Sequence, residues 1–171
     1  MLDLLYSRRS IRKYTSQSIE PEKIEQLIQA ALLSPTSRNR EAWEFVVVTD
    51  KTALSQLSVS KPGSAVMIAR APLAIVVCGN PQLSDAWIED CSIAAIIIQL
   101  TAHHLGLGSC WVHLRERMFD NVTTSSEYVK TTLGLPDHLE AECIISIGYP
   151  DEVKKKRDKN ELSYNKVSRK V

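Results

Sequence analysis

The sequence predicts a layered α/β or α+β domain, with about four or five strands and helices between them. Three observations carry this. Short β-branched runs such as EFVVVT, LAIVVC and ECIISIG alternate with segments of helical period. One long segment is apolar on nearly every side, as in a central, buried helix. Gly and Pro stand mostly at the ends of these runs.

The elements follow in chain order. Pro21 suits a first helical turn, and Ile24, Leu27, Ile28, Ala31 and Leu32 continue it at helical spacing until Pro35 stops it. Glu44–Thr49 reads as a strand and Lys51–Ser58 as a short helix. Leu73–Cys78 reads as a second strand, entered through Pro72 and left through Gly79 and Pro81. Trp87–Leu105 is the long helix, ended by Gly106 and Gly108. Ser109–Leu114 is a third strand. Ser125 or Ser126 caps a helix to about Leu133, ended by Gly134 and Pro136, and Glu142–Gly148 is a fourth strand.

The 171 residues suit a single domain, read as spanning 1–171 with a basic tail at about 151–171. Lys+Arg is 21 and Asp+Glu is 20, for a net charge of +1. That balance argues against a general nucleic-acid binder but leaves room for a local anion site. No apolar run reaches the roughly 18 residues of a membrane span. Met1–Arg12 lacks the apolar core of a signal peptide. The cysteines Cys78, Cys91, Cys110 and Cys143 form no CxxC pair and no zinc spacing, so no metal is expected and a reducing cytoplasm is the simplest compartment.

Several segments carry candidate chemistry. Arg8-Arg9-Ser10-Ile11-Arg12-Lys13 reads either as a phosphate or carboxylate clamp or as a solvated basic stretch. In Ser34–Trp43, Thr36, Ser37 and Asn39 offer hydrogen bonds, and Trp43 either stacks on a ligand or fills the core. Gly106–His113 either brings backbone close to a ligand or is a helix end leading into a strand. Cys110 looks like core, and His113 has no triad partner in the sequence. Lys154-Lys155-Lys156-Arg157 is a solvated tail or a second basic cluster that converges with the first on one dianion. There is no catalytic triad or dyad.

In this order, Arg8–Tyr14, Ser34–Asn39 ahead of Trp43, Gly106–Trp111, Leu133-Gly134-Leu135-Pro136 and Ile147-Gly148-Tyr149-Pro150 resemble the nitroreductase family of flavoproteins, over essentially the whole chain. The resemblance implies an α+β, three-layer α/β/α sandwich with a mixed, mostly antiparallel sheet of about four to five strands. It implies FMN at the interface of a homodimer. Arg8, Arg9, Ser10 and Arg12 would contact FMN, with Arg12 toward the ring's N1/O2 edge and Lys155 and Arg157 joining the phosphate. Pro35, Thr36, Ser37 and Asn39 would come from the second copy. Val112, His113 and Leu114 would lie along the flavin, with a backbone N–H aimed at N5.

The implied activity is hydride transfer from NADH or NADPH to flavin N5, then reduction of nitroaromatic or quinone-like acceptors in a ping-pong cycle. The chemistry resides in the cofactor, so no catalytic side chain is expected. The chain departs from the family at Glu41-Ala42-Trp43, where Gln-Pro-Trp is common, and at Val112-His113-Leu114-Arg115, where glycines are common. It also lacks room for capping insertions. Three alternatives remain: a flavin carrier, sensor or storage protein with little turnover, the same fold turned to other flavin chemistry, and a basic-tailed nucleic-acid module.

Overall fold

The computed structural model describes residues 1–170. Its sheet is built from β1 (Trp43–Val48), β2 (Leu73–Gly79), β3 (Gly108–His113) and β4 (Glu140–Gly148), in the order β1-β2-β4-β3. All three pairings are antiparallel. Among the described residues, the one parallel element is an isolated bridge between Ser10 and Ser109. β2 and β4 are central and covered on both faces. They therefore read as continuous apolar runs, without the alternation of a half-exposed strand.

Alternate residues feed two cores. On one face Ala74, Val76, Cys110, Val112 and Ile144 pack with Leu54 and Leu57 of α3 (Lys51–Leu57) and Val129 of α5 (Ser125–Leu133). On the other, Leu73, Ile75, Val77, Cys143, Ile145 and Ile147 pack with α2 (Pro21–Leu32) and α4 (Trp87–His104). The result is the expected three-layer α/β/α arrangement with four strands. Cys91, Ala94, Ala95, Ile98 and Ala102 form the buried face of α4, and its small residues let the helix lie close to the sheet. Among the described residues no helix is long and apolar enough to cross a membrane, and no cluster of metal ligands occurs. All four cysteines are free and buried. Burial pushes the Cys78 thiol up to about 12, so it behaves as core.

Two local expectations need correction. The cap of α5 is Thr124, not Ser125 or Ser126. Thr124 and Glu127 form a reciprocal capping box, while Ser125 and Ser126 are buried and Ser126 bonds Glu140 and the Ala141 amide. The chain also opens with an unexpected helix, α1 (Leu2–Ser7).

At Gly108, the first residue of β3, the extended segment around Ser10 and Ile11 meets the sheet. A Cβ there would sit 2.7 Å from Ile11 Cβ and Cγ2. Ile11 is anchored by its N–H to Ser109 O (2.9 Å). Gly108→Ala is therefore expected to cost about 1–3 kcal/mol, the range for an overpacked core. It should also displace Arg8–Ser10 from β3. Denaturant unfolding measures the first effect, and unchanged stability would contradict the close approach.

Candidate functional site

Arg8 leaves α1 in an extended conformation, its N–H still bonded to Leu4 O at 2.8 Å. The chain then runs along the outer edge of β3, through the Ser10 bridge and the Ile11 bond to Ser109. Ile11 and Tyr14 pin this segment. The Tyr14 hydroxyl, which is buried, donates to Ile11 O (2.7 Å) and meets Ser146 Oγ at 2.8 Å. Two apolar anchors thus present the intervening polar residues at a fixed place.

The tail returns over the same segment. Glu152 accepts from the Arg12 N–H (2.6 Å) and the Lys13 N–H (3.3 Å). The Asp151 N–H reaches Lys13 O, and the Arg157 N–H donates to Tyr6 O, both at 2.9 Å. Arg9 bonds the Lys155 carbonyl. The tail side chains are exposed as the charge run suggests, but its backbone is tied down. This brings Arg157 beside Arg8. The half-buried Arg8 guanidinium is held below its ordinary value by burial first, then by Arg157 and Arg9. None of Arg8, Arg9 or Arg157 takes part in an ion pair among the described residues.

Arg9 faces two hollows. One, of about 190 Å³, is lined by Arg9, Arg157, Asp158, Glu161 and Leu162. Its carboxylates are engaged locally: Asp158 accepts from the Asn160 N–H, and Glu161 pairs with Lys155 at 3.5 Å. The other, of about 230 Å³, includes Ser7, Arg9, His103, Gly108 and Lys154. Here the Ser7 hydroxyl meets His103 Nε2 at 2.7 Å. Burial, then Arg8 and Lys156, hold His103 below its usual value. Arg8, Arg9, Lys154, Lys156 and Arg157 thus gather positive charge at this corner, alongside Glu152, Asp158 and Glu161. Arg12 is exposed and lies by the buried Cys110 thiol, whose rise on burial it partly offsets.

Further along β3, Val112 and Leu114 point into the core, while Trp111 and His113 stack on the opposite face at 6.5 Å. The Leu114 N–H is bonded to Glu142 O at 3.0 Å, so in the antiparallel ladder residues 112 and 114 face β4. Residues 109, 111 and 113 face the open edge, as the Ser109 carbonyl taken by Ile11 demonstrates. Of the expected donors at Val112–Leu114, the free backbone N–H is that of His113.

Pro35 and Thr36–Asn39 lie elsewhere. Ser37–Asn39 form a short 3₁₀ turn, with the Ser37 N–H on Asp90 Oδ1 at 2.8 Å. The Glu41 N–H bonds Thr36 Oγ1 at 3.1 Å. Arg38, Asn39 and Glu41 all have positive φ (53°, 54° and 48°). Such strain is commonly held at functional loops. Asp90 is near the start of α4 and His103 near its end, so the two groups stand about 20 Å apart at 1.5 Å per residue. One chain does not bring them together. Trp43 resolves to core, buried and tilted against Phe45 at 5.1 Å.

Sequence reasoning missed Glu142. It stands at a β-bulge, where β2 pairs Val77 with Cys143 and Cys78 with Ala141, and its side chain is buried beside His113 and Arg115. The available signal was a carboxylate inside an apolar strand run.

The chain matches the model of the nitroreductase family over residues 5–62 and 52–149. It is 46% identical to an FMN-dependent nitroreductase of Clostridium difficile of known structure, with a TM-score of 0.98 over 100% of this chain and 99% of that one. It is 37% identical to a candidate NADH dehydrogenase/NAD(P)H nitroreductase of Archaeoglobus fulgidus, across 90% of this chain and 87% of the relative. A similarly named protein of Methanothermobacter thermautotrophicus is 34% identical, across 92% and 81%.

Proposed function

This chain belongs to the nitroreductase family and is an FMN-dependent NAD(P)H oxidoreductase; we propose that it reduces nitroaromatic or quinone-like acceptors at a flavin held between two copies of the chain. The observation that carries the proposal is the convergence of Arg8, Arg9 and Arg157 beside the open edge of β3. Two partly buried arginines and the exposed Arg157, with no carboxylate paired to them, fit a phosphate dianion. Such a group takes charge-assisted bonds from guanidinium forks.

Arg8, Arg9 and Arg157 would hold the phosphate, with Ser10 and Lys155 beside them. Arg12 would face the N1/O2 edge of the ring, where its charge opposes the negative charge gained on reduction. The edge N–H of His113 would meet the ring at N5, and Val112 and Leu114 would hold that edge rigid from the core. FMN supplies the two-electron chemistry.

An apolar face of α4 supports the second copy. Ile93 and Ile96 are each 38% exposed and lie on one helix face with Ile97 and Leu100. Met1 and Leu4 border Ile97 and Leu100, while Ile93 and Ile96 stay open, so this apolar face is only partly covered by its own chain. A homodimer packed there would cover it and carry Pro35, Thr36, Ser37 and Asn39 of one copy toward the arginines of the other. We read residues 1–171 as one domain with a basic tail. Four unbridged buried thiols suit a reducing cytoplasm.

With the donor and the acceptor using one open edge in turn, initial rates should give parallel double-reciprocal lines for NADH or NADPH against a quinone or a nitroaromatic. Intersecting lines would contradict the ping-pong order. A flavin-loaded protein without turnover would favour a flavin carrier or store.

A further inference from the structure

The strand exit after β3 contains a charge cluster that the family-level reading does not use. Glu142 is 2% exposed and sits on the bulge of β4. Its backbone carbonyl accepts from both Leu114 N–H (3.0 Å) and Arg115 N–H (3.2 Å). Its side chain stands 3.7 Å from His113 Nδ1 and 3.7 Å from Arg115 Nε. Glu142 therefore touches the whole His113–Arg115 exit, through main chain and side chain alike.

The side-chain contacts are too long for hydrogen bonds. Arg115 Nε and Glu142 Oε2 are both buried and both without a partner. Arg115 Nη1 instead donates to Glu116 Oε1 at 2.6 Å, and Glu116 has the strained φ of 53°. Unpaired buried polar atoms are uncommon and call for a reason. Here they are two opposite charges, facing each other at the end of the strand whose edge N–H belongs to His113. A bulge that turns a carboxylate toward such a place re-aims it at the expense of regular pairing.

We propose that Glu142 is a positioning residue of the redox site, which fixes the His113–Arg115 strand exit and sets the charge balance that the flavin ring feels. The proposal rests on the reading that the flavin lies along the open edge of β3. The other charged groups around His113 are Arg115, Arg117, Lys61 and Glu116. Burial raises the Glu142 carboxyl above its ordinary value, Arg115 pulls it back, and Glu116 raises it further. Glu142 and Arg115 carry opposite charges, so removing one or the other shifts the net charge near the ring by one unit in opposite directions.

The two removals have opposite signs, and this makes the test specific. The full chain is loaded with FMN, and the bound flavin is titrated against a reference dye. At a fixed poise, Glu142→Gln is expected to hold at least about threefold more reduced flavin than the parent, since a negative charge that opposes reduction is gone. Arg115→Gln is expected to hold at least about threefold less. A purely structural role would lower thermal stability and leave both potentials in place. Two unmoved potentials, or two shifts of the same sign, overturn the proposal. Failure of the parent chain to take up FMN would overturn the site reading itself, and is distinguished because it precedes any variant.

Discussion

Arg8→Ala is expected to weaken FMN binding by about 1.5–3 kcal/mol, the scale of a hydrogen bond to a charged group. At 1.4 kcal/mol per tenfold, that is about a 10- to 150-fold rise in Kd. The same holds for Arg9→Ala. Arg8 is the more informative of the two, because without ligand it stands against Arg157 and Arg9. Removing it relieves repulsion in the flavin-free chain and removes attraction in the loaded one. The variant should thus lose affinity with no charge-driven loss of unliganded stability, and the loss should shrink as salt screens the site. Fluorescence titration of FMN into both variants checks this. Wild-type affinity in both would mean the phosphate lies elsewhere.

Truncation after Pro150 should have the larger effect. It removes Lys155 and Arg157 together with Glu152, which holds the Arg12 and Lys13 amides at 2.6 and 3.3 Å. Two charge-assisted donors and the tether of a third are lost, so Kd should rise by about 100-fold or more. The sheet should survive, because β4 ends at Gly148 and the tail adds no strand. Circular dichroism and the oligomeric state serve as controls. An unchanged Kd in a folded, truncated protein would show that the tail cations are only solvated. Lys155→Ala and Arg157→Ala in the full chain then apportion the loss.

What the sequence made legible was local or periodic. β2 and β4 stand out because strands covered on both faces need apolar residues at every position. The long helix is legible as central, and its excess of apolar surface is the first trace of the partly open Ile93–Leu100 face. What stayed hidden was non-local. Nothing in DEVKKKRDK says that Glu152 will take two amides 139 and 140 residues earlier, or that Arg157 will return to Tyr6. Asn39 tolerates a left-handed backbone, but Arg38 and Glu41 carry no such signal and are held there by tertiary contacts. Glu142 reads as an ordinary strand residue, because a bulge is visible only in the pairing register. The capping box at Thr124–Glu127 is legible in principle, since Thr and Glu stand at the required spacing, but Ser125 and Ser126 one and two residues on are equally good cap residues by type.

The most direct measurement is the absorbance spectrum of the purified, FMN-loaded chain before and after anaerobic NADH, then NADPH. Oxidised flavin bands are expected to bleach within seconds with at least one donor and to return when a quinone is added. Flavin bands that persist with both donors, or a chain that takes up no FMN at all, would contradict the proposed activity.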